Sequence, residues 1–164
     1  MAQATGFGVG AVNGVEYHRQ LQAATGLSLS YDDFCFAWNN IFWADEAVLK
    51  LVVAAPVEKR YLLSNTNEIH WRFIQTHFPH LLQPFDKVVV SHEIGLEKPD
   101  PAIYQWVIRD SGYSASQHLF IDDIQSNIEG AQAVGMDTIL YTNAAELWHQ
   151  FAVRGLTTEK STFS

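Results

Sequence analysis

The sequence has few cysteines, few basic residues and no long apolar segment, and each shortage excludes a class of protein. Cys35 is the only cysteine among 164 residues, so an internal disulfide and a zinc site built from cysteines are excluded. Ten Lys and Arg stand against 18 Asp and Glu, and this net charge of -8 does not attract DNA phosphates. No run reaches the roughly 20 apolar residues of a membrane span. We therefore expect a cytoplasmic protein with neither a nucleic-acid nor a membrane partner.

The first 55 residues are predicted to form a small helical module. Asn13 and Ser30 each precede an acidic residue three positions on, which is typical of helix N-caps. Phe34, Trp38 and Ile41 fall at helical spacing, so the pattern predicts that they form one buried stripe.

The remainder of the chain alternates short apolar runs with helix-like segments. The runs cover residues 61–63, 88–90, 119–121 and 138–141. Strands that alternate with helices favour a Rossmann-like three-layer α/β fold, in which helices cover both faces of a parallel sheet. The predicted organisation is a helical module over residues 1–55 and an α/β core over residues 56–164.

Two adjacent carboxylates, Asp122 and Asp123, follow the third apolar run. Ligands of open α/β sheets bind at the carboxyl ends of the strands, and two neighbouring negative charges there are costly without a cation. Oxygen ligands at a site that retains water suit Mg²⁺, so we assign both residues as metal ligands. The alternative is that one Asp caps the next helix while the other is solvated.

Three further residues are predicted to bind a phosphate group. Lys98 precedes Pro99, which keeps its backbone extended and places a cation on a strand-end loop. Ser64 ends the first run, and its hydroxyl and the nearby backbone amides can donate to an anion at the next helix start. We assign phosphate binding to Ser64, Asn65 and Lys98. A solvated lysine and an ordinary N-cap serine are the alternatives.

Three stretches together resemble the haloacid dehalogenase-like hydrolase superfamily. They are LLSNTN (residues 62–67), GLEKPDPAIY (95–104) and FIDDIQSNIEGAQAVGM (120–136), and they are similar to its second, third and fourth motifs. The residues of these stretches are similar to those of the subgroup that includes glucose-1-phosphate phosphatase, and residues 14–55 resemble the end of its helical cap. The resemblance implies a Mg²⁺-dependent phosphatase for a small phosphorylated molecule such as a sugar phosphate. The resemblance implies catalytic roles for two residues: Ser64 would bind the phosphoryl oxygens, and Lys98 would offset charge. Asp122 and Asp123 would hold Mg²⁺.

The superfamily's first motif is absent from the sequence. That motif is an Asp-x-Asp pair whose first Asp is the nucleophile, whereas Asp32 and Asp33 are adjacent and lie in a predicted helix. We therefore assign no nucleophile and expect the chain to start inside the cap, without the first strand. At most trace phosphatase activity is expected, and a non-catalytic protein that binds a phosphorylated ligand or a partner is the alternative function.

The missing strand would lie in the middle of the superfamily's sheet, so its loss predicts a defect in the core. Residues 5–12 could fill the gap, another copy of the chain could donate a segment, or the two edges could close. We expect the isolated chain to be marginally stable or self-associated.

Two other functions have less support from the sequence. A receiver-like phospho-acceptor domain would place its acidic pair first, but here the pair comes last. A metal site at His70, His77 and His80 is disfavoured because Pro79 breaks the helix between them.

Overall fold

The structure is a computed structural model, and it describes residues 6–157. Helices and strands alternate along the α/β part of the chain, as the sequence predicts. The helices are α1 (Gly14–Thr25), α2 (Tyr31–Asn39), α3 (Glu46–Ala54), α4 (Glu68–His77), α5 (Pro79–Leu82), α6 (Ser91–Ile94), α7 (Pro101–Ser111), α8 (Gln125–Ala133) and α9 (Ala144–Val153). The strands are β1 (Tyr61–Ser64), β2 (Lys87–Val90), β3 (Leu119–Asp122) and β4 (Asp137–Leu140).

The predicted N-caps of the first two helices are confirmed. The Asn13 side chain accepts a hydrogen bond from the Glu16 amide, and the Ser30 side chain accepts one from the Asp33 amide. Each cap satisfies an amide that has no partner inside its helix. The predicted buried stripe is wrong at Ile41, which is 57% exposed because α2 ends before it.

The four strands form two parallel pairs. Strand β1 pairs with β2, with Ser64 opposite Val90 at the carboxyl ends. Strand β3 pairs with β4, with Asp122 opposite Leu140. The parallel direction of both pairs confirms the α/β class with helical crossovers, because parallel neighbours need a long connection between them.

The chain divides into two compact units, each built from two separate segments. The first unit comprises the chain up to Ala44 together with Tyr61–Glu97. The second comprises Asp45–Arg60 and the chain from Lys98 onward. Both units therefore draw on both sides of residue 55, and the functional boundary between a cap over residues 1–55 and a core over residues 56–164 stays a prediction.

The core of the first unit is largely aromatic. Phe7, Tyr17, Phe34 and Ile69 are buried together, and the rings of Phe7 and Tyr17 stack with centroids 4.3 Å apart. Residues 6–12 lie in turns and bends rather than in a strand. The described part of the 5–12 segment therefore does not form the strand that was predicted as one way to fill a gap in the sheet, and residue 5 lies outside the described residues.

The core of the second unit joins α3 to the carboxyl-terminal part of the chain. Leu51 on α3 is buried with Ile139 on β4 and with Leu147 and Phe151 on α9. Burial of such side chains stabilises each by about 1.5–3 kcal/mol relative to exposure. Helix α3 therefore packs into the same hydrophobic core as β3 and β4.

Residues 6–157 contain no helix with the length and apolar character needed to span a membrane.

Candidate active site

A buried ion pair joins the third and fourth sequence motifs in the second unit. Lys98 Nζ donates a hydrogen bond of 2.7 Å to Asp122 Oδ2, and the two side chains are only 10% and 6% exposed. Lys98 Nζ also lies 5.6 Å from the centroid of the Phe120 ring, a cation–π distance. Lys98 therefore lies against Asp122 at the end of β3.

The other oxygen of the Asp122 carboxylate is held by the start of α8. Asp122 Oδ1 accepts hydrogen bonds from the Ile124 amide at 2.9 Å and from Asn127 Nδ2 at 3.0 Å. Burial by itself would raise the pKa of Asp122. The hydrogen bond from Lys98, the Ile124 amide and the Lys98 charge outweigh it and hold the pKa below its usual value. Asp122 is therefore ionised and oriented through both oxygens.

A second layer of buried residues fixes Asn127. The Tyr104 side chain is fully buried, and its hydroxyl donates to the Asn127 carbonyl at 2.7 Å. Burial, with a smaller contribution from Asp122, raises the pKa of Tyr104 to about 12, so its hydroxyl keeps its proton. Sequence reasoning assigned no role to Tyr104 or Asn127, although both lie inside the stretches that carry the family resemblance.

Asp123 differs sharply from its neighbour. It is exposed, and within residues 6–157 no hydrogen bond to its carboxylate is found. Its charge, after burial and the contact with Asp45, contributes to raising the pKa of Tyr141, whose hydroxyl donates to Asp45 Oδ2 at 3.1 Å. Asp123 thus presents an acceptor-only carboxylate beside the Lys98–Asp122 pair.

This donor set fits Mg²⁺ only in part. Mg²⁺ in proteins commonly uses one or two carboxylates and keeps several waters, and Asp123 offers one such carboxylate. Both oxygens of Asp122 already accept hydrogen bonds from the protein, so its role as a direct ligand stays a prediction. Across the described part of the chain, no three His, Cys, Asp or Glu side chains gather as a metal site would require.

The turn after β1 carries the predicted phosphate-binding residues in the first unit. Ser64 is the last residue of the strand, and Asn65 beyond it is exposed. Thr66 and Asn67 are buried, and the Asn67 side chain accepts hydrogen bonds from the first amides of α4. Asn67 therefore acts as the N-cap, and the binding of phosphate by Ser64 and Asn65 stays a prediction.

His70 and His77 each lie within hydrogen-bond distance of a protein oxygen. His70 Nδ1 lies 3.0 Å from Asn39 Oδ1, and His77 Nδ1 lies 3.0 Å from the Phe73 carbonyl oxygen. Burial lowers the pKa of His70, so it is neutral at physiological pH.

We expect the stability of the wild type and Asp122→Asn to converge as the pH falls. A carboxyl group whose pKa is lowered by folding stabilises the protein above its unfolded pKa, and that stabilisation is lost as the pH falls through the folded pKa. Urea unfolding of both proteins from pH 7 towards pH 3 measures this difference. A difference that stays constant over this range would contradict the assignment of Asp122 as the ionised partner of Lys98.

Known proteins share the part of the sequence that contains the three motifs. Residues 63–141 match the model of the haloacid dehalogenase-like hydrolase family. The chain is 31% identical over 150 residues to D-ribitol-5-phosphate phosphatase of Bacteroides thetaiotaomicron, which covers 86% of this chain and 71% of the relative.

Solved structures of the same family have a similar fold. A haloacid dehalogenase-like enzyme of Bacteroides thetaiotaomicron, in complex with magnesium and inorganic phosphate, has a TM-score of 0.77 at 29% identity. The match covers 88% of this chain and 77% of that chain. A haloacid dehalogenase-like hydrolase from Porphyromonas gingivalis has a TM-score of 0.75 at 27% identity, over 94% and 78% of the two chains. The predicted α/β fold and superfamily are thereby confirmed, and the narrower glucose-1-phosphate phosphatase subgroup stays a prediction. The chain belongs to the haloacid dehalogenase-like hydrolase family.

Proposed function

We propose that this chain has the binding site of a Mg²⁺-dependent phosphatase for a small phosphorylated metabolite, such as a sugar or polyol phosphate. The observation that carries the proposal is the buried Lys98–Asp122 pair beside the exposed Asp123 at the end of β3. The relative named for D-ribitol-5-phosphate and the similar structure that holds magnesium and inorganic phosphate support it.

Lys98 supplies the positive charge that a phosphate group needs in this acidic chain. The net charge of -8 repels an anionic substrate, so binding depends on a local cation. Asp122 holds the Lys98 ammonium group in place, and the low exposure of both side chains strengthens their electrostatic interaction relative to water. The Ser64 hydroxyl and the Asn65 side-chain amide would each donate a hydrogen bond to a phosphoryl oxygen.

Asp123 is the residue that would hold the metal ion directly. Its exposed carboxylate has no protein donor within residues 6–157, whereas Asp122 is already bound through both oxygens. The ion, when bound, would offset the negative charge of the phosphate. Asp122 then contributes by orienting Lys98 and by setting the position of the β3–α8 turn.

The sequence has no Asp-x-Asp pair that could supply a nucleophile and its acid–base partner. The 164-residue chain is therefore proposed to bind phosphate and to hydrolyse phosphate esters at a trace rate at most. The same observation favours a second candidate function, in which the chain binds a phosphorylated ligand or a partner protein without catalysis. The partner in this second candidate function could be another copy of the same chain.

We expect inorganic phosphate to bind the chain in the presence of Mg²⁺, with at most trace turnover of p-nitrophenyl phosphate and D-ribitol 5-phosphate. Loss of a covalent nucleophile leaves groups that bind the phosphate but no group that attacks it. Calorimetry with inorganic phosphate and a colorimetric assay of released phosphate measure the two properties.

Lys98→Met should abolish the binding of phosphate, and Lys50→Met, which removes an exposed lysine, should leave it unchanged. Turnover on the order of 1 per second or faster would contradict the expected lack of a nucleophile. Absence of phosphate binding by the wild-type chain would contradict the proposed function itself.

A further inference from the structure

We propose that Ser91 is a positioning residue that holds the phosphate-binding turn after β1 in its binding shape. The inference rests on the proposed function and adds to it a residue outside the predicted site. Ser91 is fully buried and directly follows Val90, the residue paired with Ser64 at the end of β1. It therefore lies one residue beyond the last rung of the β1–β2 ladder.

The Ser91 hydroxyl is hydrogen-bonded to both backbone groups of Thr66. The Thr66 amide donates to Ser91 Oγ at 2.9 Å, and Ser91 Oγ lies 2.9 Å from the Thr66 carbonyl oxygen and 2.6 Å from the Gly8 carbonyl oxygen. A hydroxyl carries one proton, so it donates to one of these two carbonyls at a time. Without Ser91 the buried Thr66 amide would lose its acceptor, an arrangement that folded proteins rarely tolerate.

The turn is consequently fixed at two successive residues. Ser91 holds the backbone of Thr66, and the Asn67 side chain is committed to the first amides of α4. Ser64, the last residue of β1, and Asn65 are the residues assigned to phosphate, and they directly precede this anchor. A donor group held in its bound geometry binds an anion more tightly, because little conformational freedom is lost on binding.

The same hydroxyl also contacts the amino-terminal turn of this unit. Gly10 has a positive φ of 73°, and a Cβ atom added there would lie 2.1 Å from the His92 carbonyl oxygen. The turn therefore packs tightly on the His92 backbone, next to the hydrogen bond between Ser91 Oγ and the Gly8 carbonyl oxygen. Because Ser91 is fully buried, its hydrogen bonds to Thr66 are stronger than they would be in water.

The test compares Ser91→Ala with Ser111→Ala in the full chain. Ser111 is also buried and accepts a hydrogen bond from the Tyr113 amide, but it lies at the end of α7 in the other unit. Ser91→Cys serves as a second variant, in which a somewhat larger thiol replaces the hydroxyl and forms weaker hydrogen bonds. The measurements are the affinity for inorganic phosphate with Mg²⁺ by calorimetry and the hydrogen exchange of the Thr66 amide by NMR.

We expect Ser91→Ala to bind phosphate at least tenfold more weakly than the wild type and to lose exchange protection at Thr66. The affinity of Ser91→Cys for phosphate should lie between those of the wild type and Ser91→Ala. The affinity of Ser111→Ala for phosphate should stay within twofold of the wild-type affinity, even if its melting temperature falls as much as that of Ser91→Ala. Wild-type-like binding by Ser91→Ala, or by Ser91→Cys if the alanine variant does not fold, would overturn the role of Ser91 alone. No binding by the wild type would overturn the proposed function, and this inference with it.

Discussion

Replacing Lys98 with methionine should lower the free energy of unfolding by about 3–5 kcal/mol, the cost typical of removing one partner of a buried ion pair. The variant keeps the length of the side chain but leaves the Asp122 carboxylate, 6% exposed, without its cation. The remaining donors, the Ile124 amide and Asn127, offset only part of that buried charge. Urea unfolding at pH 7 measures the change.

Arg154→Met provides the matched control, because Arg154 pairs with Asp137 at 3.0 Å in the same unit. Those side chains are 27% and 53% exposed, and an ion pair in such a setting contributes about 0–1 kcal/mol. The double variant Lys98→Met/Asp122→Asn should lose less stability than the two single variants added together, since it removes both charges at once. Equal losses in Lys98→Met and Arg154→Met would refute the buried character of the pair.

Replacing Gly130 with alanine should destabilise the protein by about 1–3 kcal/mol, as overpacking of a core commonly does. An added Cβ would lie 2.5 Å from the Pro99 carbonyl oxygen and 2.9 Å from Tyr104 Cε2. The backbone next to Lys98 would have to move, because a carbonyl cannot rotate away as a side chain can. Thermal and urea unfolding of the variant test this expectation.

The opposing effect is helix propensity, which favours alanine over glycine by about 1 kcal/mol at a helix interior. Ser126→Ala, at an exposed position of α8, introduces an alanine into the same helix without the steric contact and should change stability by about 0.5 kcal/mol or less. A Gly130→Ala variant at least as stable as the wild type would show that the α7–α8 contact is looser than described.

The sequence predicted the parts of the site that local pattern controls. Strands β1 and β3 end in the polar residues Ser64 and Asp122, and the apolar runs place the end of each of these strands to within one residue. Lys98 and Asp122 both come after apolar runs of the sequence, and the structure brings their side chains together within the second unit.

The parts that sequence reasoning missed depend on contacts between distant segments. Ser91 follows the second apolar run, and its sequence position gives no sign of its role. Its hydrogen-bond partners Thr66 and Gly8 belong to other segments of the chain. The exposure of Ile41 was missed for a different reason. Helical spacing alone cannot say that α2 ends two residues earlier.

The packing of α3 against α9 has a consequence for synthesis of the chain on the ribosome. The core residues and partly buried apolar residues around Leu51, apart from Val48 and Ala55 beside it, all follow residue 118. Because synthesis runs from the amino terminus, most of the chain must leave the exit tunnel before α3 can bury its apolar face. Until then α3 exposes an apolar face of the kind that chaperones bind. A chain released from a ribosome that stalls before α9 could not form the core of the second unit.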